Sequence, residues 1–86
     1  MKIESFETTP NPAALKCVIS APPAGGIRAY RAAEEAEGDG LAERLFAVPG
    51  VSSLLIHERF ITVVKTTEGK WGPIKRGVRA AVEVDG

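Results

Sequence analysis

DGLAERLFAVPGVSSLLIHERFITVVK, residues 39–65, reads as a helix, a tight stop and a β-hairpin. Asp39 is placed to cap the helix, and Glu43 falls in the first turn, where a carboxylate meets the positive end of the helix dipole. Leu41, Leu45 and Val48 recur at helical spacing, flanked by Ala42 and Phe46, so one face is apolar. Pro49-Gly50 ends that helix: proline restricts Val48 before it, and glycine supplies a turn at little steric cost. Val51 to Ile56 and Phe60 to Val64 are rich in β-branched and apolar residues, separated by the polar trio His57-Glu58-Arg59, which is a short hairpin signal. The unit makes half a core, and the flanking segments must complete it.

Upstream, Lys2 to Thr8 reads as a weakly alternating strand suited to a sheet edge, with Ile3 and Phe6 falling on opposite faces. Thr9-Pro10-Asn11-Pro12 follows as a rigid corner. Two prolines fix φ twice and push the residues before them out of the helical region, and the Asn11 side chain can bond neighbouring backbone. Ala14 to Ser20 alternates, Leu15, Cys17 and Ile19 on one face and Lys16 and Val18 on the other, as a half-buried strand does. Ala21 to Gly26 is a loop by composition, and Ile27 to Ala32 is expected to pair back on the Leu15–Ile19 strand as a hairpin. Ala33 to Gly38 is too short and too broken by glycine for a helix of its own and reads as a linker. Downstream, Trp71-Gly72-Pro73 opens a last helix with Ile74, Val78, Ala81 and Val82 as its apolar stripe. The expected architecture is α+β: a two-layer sandwich in ββαββα order, with a mainly antiparallel four-stranded sheet and both helices on one face.

The bulk properties narrow the function. Eighty-six residues make one domain, residues 1–86, near the small end of what folds without disulfides or metal. Hydrophobic residues at 44% and charged residues at 26% argue against general disorder. Eleven basic groups match eleven acidic ones, so net charge gives no reason to expect nucleic acid or an anionic membrane. A single cysteine excludes an intramolecular disulfide and any Cys-X-X-Cys site within these residues, and a cytoplasmic setting fits. The start is no signal peptide, and no apolar run approaches transmembrane length.

Four motifs in order resemble the N-terminal domain of the Nfu-type iron–sulfur cluster scaffold proteins. They are Thr9-Pro10-Asn11-Pro12 before a strand containing Lys16; Leu41-Ala42-Glu43-Arg44-Leu45-Phe46 ending in Gly50-Val51; Phe60-Ile61-Thr62-Val63-Val64-Lys65; and Trp71 before the last helix. The resemblance covers nearly the whole chain and implies the fold and an association with cluster biogenesis. In two-domain Nfu proteins, cluster binding is attributed to a Cys-X-X-Cys in a second domain. These residues contain no such motif, so the chain reads as a free-standing version and cluster binding is not implied. The usual Ser-Pro before the helix is Asp39-Gly40 here, and the aromatic that often follows the strand lysine is Cys17.

No residue set calls for a cofactor or a catalytic role. Cys17 could hold a cluster only if two or more chains shared it, since about four ligands are normal; its apolar face favours a buried core thiol. His57, the only histidine, lacks triad partners and reads as a solvated turn residue. Trp71 reads as a core anchor. The basic group Lys65, Lys70, Lys75, Arg76 and Arg79 and the acidic run Glu34, Glu35, Glu37, Asp39 and Glu43 read as solvated faces that could also steer a partner. Thr9, Pro10, Asn11 and Pro12, with Lys16, His57 and Arg59 on the hairpin side, are the candidate interaction residues, because a rigid exposed corner binds with little ordering entropy. The expected function is a non-enzymatic interaction module for a protein partner, with iron–sulfur assembly or client proteins as the partners the resemblance implies. A carrier using Cys17 shared between chains and a small-ligand-binding domain are the alternatives. The oligomeric state stays open.

Overall fold

In the computed structural model, which describes residues 1–84, the decisive stretch folds as its pattern requires. Helix α1 spans Gly40–Phe46, and strands β4 (Val51–Ile56) and β5 (Phe60–Lys65) follow as an antiparallel hairpin. Asp39 is the N-cap of α1, its carboxylate accepting from the Ala42 N–H, while the Glu43 carboxylate accepts from Gly38 N at 3.1 Å. The chain leaves α1 through Gly50, whose φ of +97° belongs to the left-handed region.

Strands β1 (Ile3–Thr8), β2 (Ala14–Ile19) and β3 (Arg28–Tyr30) complete a fully antiparallel sheet in the order β1-β2-β5-β4-β3. The sheet therefore has five strands, not the expected four. The added strand is β1, an edge strand whose alternation is broken by a register irregularity between Ile3 and Ser5. That bulge returns Phe6 to the same side as Ile3: Ile3 lies opposite Ile19 and Phe6 opposite Cys17, all on the covered face.

The expected hairpin between the Ile27–Ala32 segment and β2 does not form. Both sides of β2 are already taken, by β1 through the Thr9–Pro12 corner and by β5, so β3 crosses to the far edge and pairs with β4. The crossing covers three strand spacings, about 14 Å, within reach of the eight-residue 20–27 loop at about 3.3 Å per residue. At the far edge Arg28 and Tyr30 reach the start of α1. The Arg28 guanidinium donates to both oxygens of Asp39 and to the carbonyls of Ala24 and Gly26, and the Tyr30 hydroxyl donates to Asp39 Oδ2 at 2.6 Å. The linker before α1 contains one 3-10 turn, Ala33–Ala36, with Ala36 buried.

Helix α2 (Trp71–Glu83) lies beside α1 on the same sheet face, burying Ile74, Val78, Ala81 and Val82 as its periodicity predicts. One core joins these to Leu15, Cys17, Ile19, Leu54, Ile56, Ile61 and Val63 of the sheet and to Leu41, Ala42 and Leu45 of α1. Helix α2 approaches the turn after α1 closely at Gly77, where an added Cβ would stand 2.6 Å from Val48 Cγ1. Helix propensity alone favours Gly77→Ala by about 1 kcal/mol, but relieving that overlap costs about 2 kcal/mol. A net loss of about 1 kcal/mol is expected, read as a lower urea midpoint at unchanged slope.

Candidate functional site

The Thr9–Pro12 corner joins β1 to β2 at one end of the sheet and satisfies most of its polar groups itself. Thr9 Oγ1 donates to Asn11 O at 2.8 Å and accepts from Asn11 N at 3.2 Å. Asn11 Oδ1 accepts from Ala13 N at 3.0 Å, and Asn11 O from Ala14 N at 2.9 Å. With φ set at two prolines and the asparagine side chain closing an Asx-type turn, little freedom remains. Pro10, Asn11 and Pro12 are exposed all the same. The corner is braced from behind: Trp71 Nε1 donates to Pro12 O at 3.3 Å, and Lys65 N donates to Ala13 O at 2.8 Å. Lys65 Nζ stands 6.0 Å from the Trp71 ring centroid, at the outer limit of a cation–π contact.

Trp71 thus has a double part. Its ring is half-buried against the core, while its indole N–H fixes the corner to the start of α2. The i, i+4, i+7 stripe of α2 marks the helix but not this contact, because Pro12 and Trp71 lie 59 positions apart.

The other candidate residues lie elsewhere. Lys16 belongs to the open sheet face, where its ammonium stands 4.8 Å over the Phe60 ring and 3.8 Å from Glu7 Oε1. Val18, Thr62, Val64 and Leu55 share that uncovered face by register. His57 and Arg59 sit at the β4–β5 tip, beside the end of β2, where Arg59 O accepts from Ile19 N at 3.1 Å. The antiparallel register puts that tip a whole strand from the corner, about 17 Å for six residues. The structure therefore brings the corner together with Lys65 and Trp71, and leaves His57 and Arg59 at the opposite end. His57 is not simply a solvated turn residue: its ring stacks on Phe60 at 4.6 Å and 6°, and its Nδ1 is buried without a hydrogen-bond partner among the described residues.

Cys17 is 0% exposed at the centre of the covered face, between Phe6 and Ile61 on neighbouring strands. Burial pushes its thiol up to about 12, against a small opposing pull from Lys75. A ligating sulfur must be reachable, and this one is not. Nor do the described residues contain a group of three or more His, Cys, Asp or Glu side chains able to hold a metal ion. The residues present do not fit an iron–sulfur cluster.

A sequence model of the scaffold protein Nfu/NifU N-terminal family matches residues 3–84. The chain belongs to the Nfu/NifU N-terminal domain family. Among Nfu relatives, it is 35% identical over 78 residues to a Drosophila grimshawi protein named NFU1 iron-sulfur cluster scaffold homolog, mitochondrial. That match takes in 88% of this chain but only 26% of the relative. The Nfu/NifU N-terminal fold is also found in solved structures. The crystal structure of SAV1430 from Staphylococcus aureus is 26% identical with a TM-score of 0.77, the match covering 95% of this chain and 99% of that one. A NifU-like protein from Saccharomyces cerevisiae is 27% identical with a TM-score of 0.73, covering 94% and 76% respectively. No helix among the described residues of this Nfu domain is long and apolar enough to cross a membrane.

Proposed function

We propose that this domain is a non-enzymatic docking module acting in iron–sulfur cluster assembly or delivery, through the Thr9–Pro12 corner. The observation that carries the reading is the corner itself: exposed, hydrogen-bonded within itself, and braced by Trp71 of a distant element. A surface already ordered before contact loses little entropy when a partner binds. The link to cluster assembly rests on family membership and on the scaffold named among the relatives. The cluster is the cargo of that process rather than a resident of this domain, in keeping with a buried, protonated Cys17. The cytoplasm is the compartment proposed for it; the Drosophila relative is by its name mitochondrial.

The test is an affinity capture from native lysate with wild type, Pro10→Ala/Asn11→Ala and Cys17→Ser. Cluster-assembly or cluster-receiving proteins are expected with wild type and Cys17→Ser, and about tenfold less with the corner variant. Recovery of partners together with iron, only when Cys17 is intact, would replace this reading by the shared-cluster carrier. A specific turnover by the purified domain would replace it by an enzyme.

A further inference from the structure

Eleven basic and eleven acidic groups cancel in number, but not in place. Glu34 and Glu35 of the 3-10 turn, with Glu37 after it, lie beside β3 at one sheet edge. Lys75, Arg76 and Arg79 project from α2 beside β1 at the other, four strand spacings or about 19 Å away. Among the described residues the ion pairs are Lys16–Glu7 and Arg28–Asp39, so none of the three α2 cations is paired with a carboxylate. Two of them gather on an aromatic ring instead: Lys75 Nζ is 5.5 Å and Arg79 Cζ 5.2 Å from the Phe6 centroid. Arg79 Nη1 also donates to Ile3 O at 3.2 Å, which holds its guanidinium at the β1 edge. Phe6, Lys75, Arg76, Arg79, Ala80 and Glu83 line an open cleft of about 430 Å³.

We infer that this cleft receives an extended acidic segment of a partner protein. The inference rests on the docking-module reading and names a second contact for it. Unpaired cations held in place by a ring and a carbonyl form a preorganised receptor for carboxylates. Lys75 and Arg79 are four residues apart on one helix face, about 6 Å along the axis. Alternate residues of an extended chain are spaced at about 6.7 Å, so glutamates at every second position can meet both. The residue between them points away from the cleft, so its side chain is free to vary. A nucleic acid suits the cleft less well. The Phe6 ring is engaged by two cations rather than offered as a stacking platform for bases.

The probe is a fluorescein-labelled peptide of about twelve residues, with alternate glutamates and serines between them, followed by polarisation. Binding is expected at low salt, weakening steadily as ionic strength rises, with no binding of a matched peptide carrying lysine for glutamate. Lys75→Glu/Arg76→Glu should weaken binding about tenfold or more, while Lys75→Arg/Arg76→Lys stays within about twofold. Unchanged melting temperatures show that the variants remain folded. Absence of binding at low salt, or equal binding by the charge-reversed variant, overturns the assignment. So does tighter binding of a single-stranded oligonucleotide of equal charge. Self-association abolished by the same charge reversal would reassign the cleft to the acidic turn of a second copy. Pro10→Ala/Asn11→Ala should bind the peptide as wild type does. Lysate partners captured without peptide binding would therefore remove the cleft alone, and peptide binding without captured partners would remove the corner reading alone.

Discussion

Replacing Asp39 with alanine is expected to destabilise the fold by about 3 kcal/mol, a large share of what a domain this small holds in reserve. The carboxylate does three things at once. It caps α1 through the Ala42 N–H, takes a two-point contact from Arg28, and accepts from the Tyr30 hydroxyl. A lost cap alone costs about 1 kcal/mol. The remainder comes from an Arg28 guanidinium with only 18% of its side chain exposed and no carboxylate to neutralise it. Asp39→Asn keeps an N-cap acceptor and removes the charge, so it should fall between alanine and wild type.

The same cluster sets a pH dependence. The Arg28 guanidinium, aided by the Tyr30 hydroxyl and the Ala42 N–H and opposed by burial, lowers Asp39 from the usual 3.8 to about 2. A carboxylate depressed on folding contributes stability above its unfolded value and loses it as pH falls through its folded one. The contribution is therefore complete above about pH 4 and drains away between 3.8 and about 2. At 1.36 kcal/mol per pH unit it amounts to about 2 kcal/mol. Urea unfolding of wild type and Asp39→Asn at pH 5.5 and pH 2.5 checks this. The gap between the two should shrink by most of that amount in acid, and a gap independent of pH would show that Asp39 acts without its charge.

Gly50→Ala is expected to cost about 3 kcal/mol, from two sources that add. A φ of +97° forces any L side chain into a region it rarely occupies. The new Cβ would also stand 3.0 Å from Ile74 Cδ1 and 3.3 Å from the Gly69 Cα. Ile74 is fully buried, and the Gly69 contact is backbone, so neither yields easily. Gly50 O meanwhile accepts from Thr66 N, tying the α1–β4 turn to the β5–α2 turn, and a shift would break this link as well. The variant's urea midpoint should fall by an amount that Gly26→Ala does not match. Gly26 also has positive φ, but nothing lies within 4 Å of its missing Cβ, so it isolates the backbone share.

How far these features could be read beforehand depended on how local they were. Asp39 as cap, Pro49-Gly50 as stop and the two strands beyond are fixed by neighbours within a few residues, and the structure follows them closely. The partner of the Ile27–Ala32 segment depends on which strand edge is free. Nothing within that segment reports that β2 is already flanked by β1 and β5. Arg28, Tyr30 and Asp39 are spaced irregularly, so their meeting across the β3 edge leaves no periodic trace. The edge strand over Lys2 to Thr8 is legible, but the bulge after Ile3 blurs its alternation, which keeps it out of the four-stranded count and, with the bulge unseen, sets Phe6 on the opposite face from Ile3. For the candidate site, two prolines around Asn11 declare a rigid corner in any context. Its brace on Trp71, and its separation from His57 and Arg59, follow from register and appear only once the sheet is assembled.

The middle of the sheet joins the two halves of the chain: Cys17 sits opposite Ile61, and Leu15 opposite Val63. During synthesis β1 and β2 emerge first, but the central ladder cannot close until β5 has left the ribosome. Until then β2 presents an unpaired edge of backbone N–H and C=O groups and an uncovered apolar face. Pairings this distant carry a high loop-closure cost and place folding in the slower, roughly millisecond-to-second regime of sheet-rich domains. The nascent chain is thus most open to wrong pairing or chaperone capture between the emergence of Ile19 and that of Lys65.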